Sequence, residues 1–138
     1  MILRARRVIG GQASGLAVVS PEALSFWGDL DPVTGRVSNP RHALAGRELA
    51  GRVLVFPQGR GSSSAAQVLL EAIRRGTAPA AIVNVRTEPL LAVGPLVGQA
   101  LYGRGLPVVT VSPDDFARIE EGALVVVDAD AERLEVDP

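Results

Sequence analysis

Val53-Leu54-Val55-Phe56-Pro57-Gln58-Gly59-Arg60-Gly61-Ser62-Ser63-Ser64 decides the fold class of this chain. Its first four residues are apolar without alternation, the pattern of a strand covered on both faces. Gly59 and Gly61 let the backbone turn tightly. The three serines then offer N-caps to a helix, because a hydroxyl accepts from an otherwise orphaned first-turn amide. From Ala65 the apolar residues Val68, Leu69, Ala72 and Ile73 recur at helical spacing, with Glu71, Arg74 and Arg75 on the opposite face. Gly76 follows as a stop. A buried strand feeding a helix through a tight turn is an α/β signature.

Outward from this unit, short β-branched runs bounded by breakers predict strands at 6–9, 14–20, 52–56, 80–85, 107–112, 123–128 and 134–136. A second helix is expected from Glu88-Pro89 to about Tyr102, with Pro89 in its first turn and a kink at Pro95. Ser112-Pro113-Asp114-Asp115 starts a short helical turn over 113–119, with Asp114-Asp115 as its capping pair. Asp128-Ala129-Asp130-Ala131-Glu132 reads as a solvated hairpin turn. The segment 21–46 holds the one Trp, the one His and a dense series of turn residues, and reads as an ordered excursion. The expectation is a mixed α/β chain forming a single domain over residues 1–138.

Composition narrows the chemistry. The chain has 138 residues, 47% of them hydrophobic, enough for a core without disulfide or metal staples. Fifteen acidic residues against fourteen basic ones give a net charge of −1, which argues against an electrostatic nucleic-acid binder. Every basic residue is Arg, so mechanisms that need a Schiff-base or phosphate-cradling Lys are excluded. There is no Cys, hence no disulfide, thiol nucleophile or self-supplied iron–sulfur site, and His42 alone cannot build a zinc site. The basic N-terminus lacks an apolar leader core, and no apolar stretch approaches the roughly 18 residues of a membrane span. A soluble cytoplasmic protein that binds no metal itself is expected.

The glycine–serine turn is the candidate site. A helix N-terminus attracts anions through its free amides and the positive end of its dipole. A Walker loop is excluded by the missing Lys. A dinucleotide fingerprint is a poor fit, since Ser64 stands where a third Gly is needed and no acid follows at the ribose distance. The remaining readings are a plain Ser-rich N-cap or a bound anion, and three serines exceed what one cap requires.

Ser25-Phe26-Trp27-Gly28-Asp29-Leu30-Asp31-Pro32-Val33-Thr34-Gly35-Arg36, then Ala43-Leu44-Ala45-Gly46, then Gly51-Arg52 leading into the 53–64 turn, and Gly76-Thr77-Ala78-Pro79-Ala80-Ala81-Ile82 together resemble the aconitase X swivel domain family. The resemblance covers essentially the whole chain. It implies a swivelling β/β/α domain, a barrel-like mixed sheet with flanking helices. It further implies the small subunit of a heterodimer whose large aconitase X subunit holds an iron–sulfur cluster through its own cysteines. Members of the family are hydro-lyases acting on cis-3-hydroxy-L-proline or on mevalonate 5-phosphate. In such enzymes a Ser of the swivel domain is the base, which places Ser62 in that role. Read from the residues, Arg60, Gly61, Ser63, Ser64 and Asn84 are the candidate substrate-binding set around it.

The residues agree with that implication. A chain without Cys must borrow a cluster across an interface. A Ser serves as base only if its alkoxide is stabilised, which the amides of the helix start and Arg60 can do. The amides around Ser63 and Ser64 are candidate donors to a developing enolate. Phe26-Trp27-Gly28 and the triple Ser favour the hydroxyproline branch, because archaeal small subunits tend to carry an aliphatic residue after the Phe. Ala65-Ala66 and Pro95 depart from the family pattern and bear on the substrate pocket.

Other residues carry two readings each. Phe26 and Trp27 are a hydrophobic anchor to the core or to a partner subunit, or Trp27 touches substrate. Asn84 and Glu88 either face the same cleft as Ser62 or cap the helix at Pro89. His42 is expected to be a partly exposed, hydrogen-bonding loop residue in preference to a catalytic one. A rival of another class is a non-catalytic swivel module that docks a partner or an anion.

Overall fold

The computed structural model describes residues 1–59 and 63–138; Arg60, Gly61, Ser62 and the side chain of Ser63 lie outside the described residues. In chain order the elements are β1 (Ile2–Arg4), β2 (Arg6–Ile9), β3 (Gln12–Val19), α1 (Phe26–Asp29), β4 (Leu30–Asp31), β5 (Arg36–Val37), β6 (Val53–Val55) and α2 (Ser63–Arg75). They continue with β7 (Ala81–Asn84), a 3₁₀ turn (Pro89–Ala92), α3 (Val93–Tyr102), β8 (Val108–Thr110), α4 (Pro113–Phe116), β9 (Leu124–Asp128) and β10 (Arg133–Asp137).

Among the described residues, eight strands form one mixed sheet in the order β1-β10-β9-β3-β6-β7-β8-β2, and β4 and β5 pair separately. The run β3-β6-β7-β8 is parallel. The remaining neighbours are antiparallel. The two edge strands, β1 and β2, are separated in sequence by Ala5 alone. The sheet must therefore curl until its two edges meet at that residue. No ladder joins β1 to β2, so the expected barrel likeness is a strongly curled mixed sheet, not a closed barrel.

The curl divides the apolar residues into two cores. Val53, Val55, Ala81, Val83, Val109, Val125, Val127, Leu134 and Leu3 fill the inside of the curl. Leu54, Ile82 and Val108 point outward, against Leu69, Ala72 and Ile73 of α2 and against residues of the excursion. Alternate residues of β6 thus enter different cores and all three are fully buried, as an unalternating apolar run requires. Gly15 of β3 is also dictated by packing. A Cβ there would stand 2.7 Å from the carbonyl oxygen of Gly51, where the chain passes beside the sheet.

Several expectations change. The first three-residue strand, β1, escaped the sequence reading because two of its residues are exposed and it has no periodicity of its own. Pro95 does not kink a helix. The irregularity lies upstream, where the 3₁₀ turn passes into α3, and Pro95 falls in the first turn of α3, where its missing N–H breaks no bond. The cap of α4 is Ser112, whose Oγ accepts from the Asp115 amide at 3.1 Å, rather than the Asp114-Asp115 pair. Asp115 instead pairs with Arg118.

Glu121 ties Arg47, the residue that follows the excursion, to the sheet. Its carboxylate accepts from Arg47 Nη2 at 2.9 Å and from the Val19 amide at 3.1 Å. Burial by itself would raise this carboxyl, but the Arg47 bonds and the Val19 and Gly122 amides outweigh it and hold it below its ordinary value of 4.5. A carboxyl lowered by folding stabilises the protein above the unfolded value, and the contribution disappears as pH falls through the lower folded value. Glu121→Gln should therefore flatten the acid limb of stability below about pH 4.5. It should cost no more than about 1 kcal/mol at pH 7, the pair being half exposed. Thermal denaturation at stepped pH tests this, and superimposable acid limbs would rule it out.

Candidate functional site

The parallel strands end at one edge of the sheet, and the turn after β6 leaves from there. Three neighbours hold it. Asn84, at the end of β7 and 0% exposed, donates from Nδ2 to the Phe56 carbonyl at 2.8 Å, while its Oδ1 accepts from Thr87 Oγ at 3.3 Å. The Pro57 carbonyl accepts from the amides of Val85 and Arg86, both at 3.1 Å. Gln58 is bridged in parallel to Arg86, and its carbonyl accepts from the Leu24 amide at 3.3 Å. The edge of one ring of the Phe26–Phe56 pair packs on the face of the other, with centroids 6.2 Å apart and an interplanar angle of 81°.

The turn is thus fixed up to Gly59, and α2 begins at Ser63. No acid stands in the first turn of α2 to oppose the positive end of its dipole. The opposite end carries Arg74 and Arg75, both bonded to Glu71, whose carboxyl is held below its ordinary value chiefly by the Arg74 hydrogen bond.

The sequence-predicted residues divide as follows. Ser62, Arg60 and Gly61 lie outside the described residues. Ser63 opens α2, and Ser64 is exposed in its first turn. Asn84 is brought to the same turn, but both its polar atoms are engaged within the chain, so it braces the turn from beneath. Glu88 sits at the N-cap of the 3₁₀ turn, half-buried; its carbonyl accepts from the Leu91 amide at 2.9 Å, and its side chain makes no capping bond or ion pair among the described residues.

Phe26 and Trp27 separate. Phe26 is 1% exposed and anchors the excursion, whereas Trp27 is 63% exposed and touches no core in this chain. His42 is buried, not partly exposed. Its Nδ1 accepts from the Leu44 amide at 3.0 Å, which leaves the proton on Nε2 to be donated to the Ala23 carbonyl at 3.0 Å. It is a fastening of the loop with no free nitrogen to offer.

The sequence reading missed Asp29. Its nearly buried carboxylate accepts from the Ser25 amide and from Asn39 Nδ2, both at 2.8 Å, and so closes the excursion on itself. The signal available was an acid and an amide ten residues apart in a turn-rich stretch. Among the described residues no group of three or more His, Asp or Glu is placed to hold a metal. No described helix is long and apolar enough to cross a membrane.

Replacing Asn84 by Ala would leave the buried Phe56 carbonyl without its donor. The expected cost is about 1–3 kcal/mol. It should appear as a lower midpoint in urea, and an unchanged midpoint would show that the brace is dispensable.

Comparison with known proteins gives one consistent result. The family model for the aconitase X swivel domain matches residues 2–136. The small subunit of phosphomevalonate dehydratase from Methanothrix thermoacetophila is 42% identical over 94% of this chain and 90% of its own length. The cis-3-hydroxy-L-proline dehydratase of Pseudomonas aeruginosa is 46% identical over 75% of this chain, which corresponds to only 18% of that protein. The crystal structure of Thermococcus kodakaraensis aconitase X superposes with a TM-score of 0.88 at 33% identity, covering 100% of this chain and 99% of that one. Sequence blocks, curled sheet and strand-to-helix turn converge with these matches, and the chain belongs to the aconitase X swivel domain family.

Proposed function

We propose that this chain is the small subunit of a heteromeric hydro-lyase of the aconitase X type, acting in the cytoplasm on a hydroxy acid, with cis-3-hydroxy-L-proline as its substrate. The observation that carries the reading is the end-to-end alignment with proteins named as separate small subunits, on a fold that braces the end of β6 from the neighbouring strand. The 46% identity to the Pseudomonas dehydratase supports the substrate. A second reading, the small subunit of a phosphomevalonate dehydratase acting on mevalonate 5-phosphate, is favoured by the longer alignments with the archaeal subunits.

An iron–sulfur cluster does not fit the residues of this chain: it has no cysteine, and both nitrogens of its one histidine are engaged. We assign the cluster to the large subunit and derive no step through it. What this chain contributes is the proton acceptor and its surroundings. Ser62 Oγ, as the alkoxide, takes the proton from the carbon beside the substrate carboxylate; the freed electron pair forms the double bond, the neighbouring hydroxyl leaves as hydroxide, and the proton held on Ser62 passes to it to give water and restore the alkoxide. The first-turn amides of α2 at Ser63 and Ser64 have no intrahelical acceptor and can receive the negative charge that builds on the carboxylate oxygens. Arg60, two residues before Ser62 in the sequence, is assigned the supporting positive charge. Asn84 acts through the Phe56 carbonyl as a positioning residue.

Ser62→Ala in the two-subunit complex tests the reading. Turnover of cis-3-hydroxy-L-proline is expected to fall by about 10²–10⁴, with assembly and iron content unchanged. Full turnover in the variant would remove Ser62 from the mechanism. A wild-type complex that turns over mevalonate 5-phosphate and not the imino acid would select the second substrate. A complex that turns over neither would leave the non-catalytic module.

A further inference from the structure

We propose that Arg86 binds the substrate carboxylate. This inference rests on the dehydratase reading above, in which either substrate carries such a group.

Arg86 is attached to the turn by its own backbone. Its amide and that of Val85 both reach the Pro57 carbonyl, and it is the bridge partner of Gln58. Beneath it, Asn84 joins the Phe56 carbonyl to Thr87. The segment from Asn84 to Thr87 therefore moves with the turn, and the Cα of Arg86 is held at a fixed place on the rim of the site. A binding group gains most when its position is set before the ligand arrives.

The guanidinium itself is uncommitted. Arg36, Arg47, Arg74, Arg75, Arg118 and Arg133 each lie within 4 Å of a carboxylate. Arg86 is exposed and has no side-chain hydrogen bond or ion pair among the described residues, Glu88 included. A free guanidinium on a fixed backbone offers two parallel N–H donors, the geometry that matches a carboxylate. Its charge also adds to the dipole of α2, whose first turn holds no acid. Together they make this end of the sheet attractive to an anion.

The test uses the assembled two-subunit complex with whichever of the two acids the wild type turns over. Arg86→Gln is expected to raise KM at least tenfold, and Arg86→Lys to fall between it and the wild type. Arg104→Gln, in the groove of about 770 Å³ beside Gly76 and Pro107, should behave as wild type. A KM within twofold of wild type for Arg86→Gln overturns the proposal, as does a loss confined to kcat. Failed assembly of Arg86→Gln, with wild-type KM in an assembled Arg86→Lys, would assign the residue to the subunit contact and overturn it too. A wild-type complex that turns over neither acid refutes the dehydratase reading instead. Calorimetric binding of the same acids then decides on Arg86: tenfold weaker binding by Arg86→Gln supports it, and equal binding, or none by either protein, overturns it.

Discussion

The hydrogen bond from Asn84 to the Phe56 carbonyl answers the constraint on which the site depends. Strand β6 is buried on both faces, so its last residues reach the sheet edge inside the core. A buried carbonyl without a donor costs as much as a lost hydrogen bond, and the chain must turn there before α2 can begin. Asn84 supplies the donor from the neighbouring strand, and the amides of Val85 and Arg86 supply two more to Pro57. The same bonds that satisfy the backbone also fix the place of the turn. Structural need and preorganisation of the site are here one set of contacts.

The curl of the sheet gives that turn its setting. Because β1 and β2 are consecutive yet lie at opposite edges, the first nine residues close the structure on itself and leave a core on either side of the parallel strands. The excursion covers the outer core through Phe26, Leu30 and Leu44, and is closed by Asp29 and His42. Trp27, and Ser64 in the first turn of α2, are left exposed. That this domain contributes the base while another subunit holds the metal is the division of labour we propose.

Much of this was legible in the residues. The unalternating run at Val53–Val55 announced a strand covered on both faces, and the serines up to Ser64 announced the helix start, while the tight turn expected before them falls outside the described residues. The spacing from Ala65 to Ile73 placed the face of α2 that enters the outer core. What failed to show has physical reasons. Ile2-Leu3-Arg4 is too short to carry a period, and becomes a strand only because β10 is there to pair with it. Whether Phe26 or Trp27 would be the anchor depended on which side of a non-helical turn each falls, at Trp27 and Gly28. The partners of Asp29 and Asn84 are set by the tertiary fold, ten and twenty-eight residues away, where no local pattern reaches. The rim position of Arg86 became visible only through its bridge to Gln58.

The central claim is that this chain works against a metal held by another subunit. The most direct measurement is purification from the native source, with sizing and iron analysis of the peak that contains it. The account predicts elution with a larger, cysteine-rich, iron-bearing partner. Elution alone, iron-free and near its own mass, would contradict it.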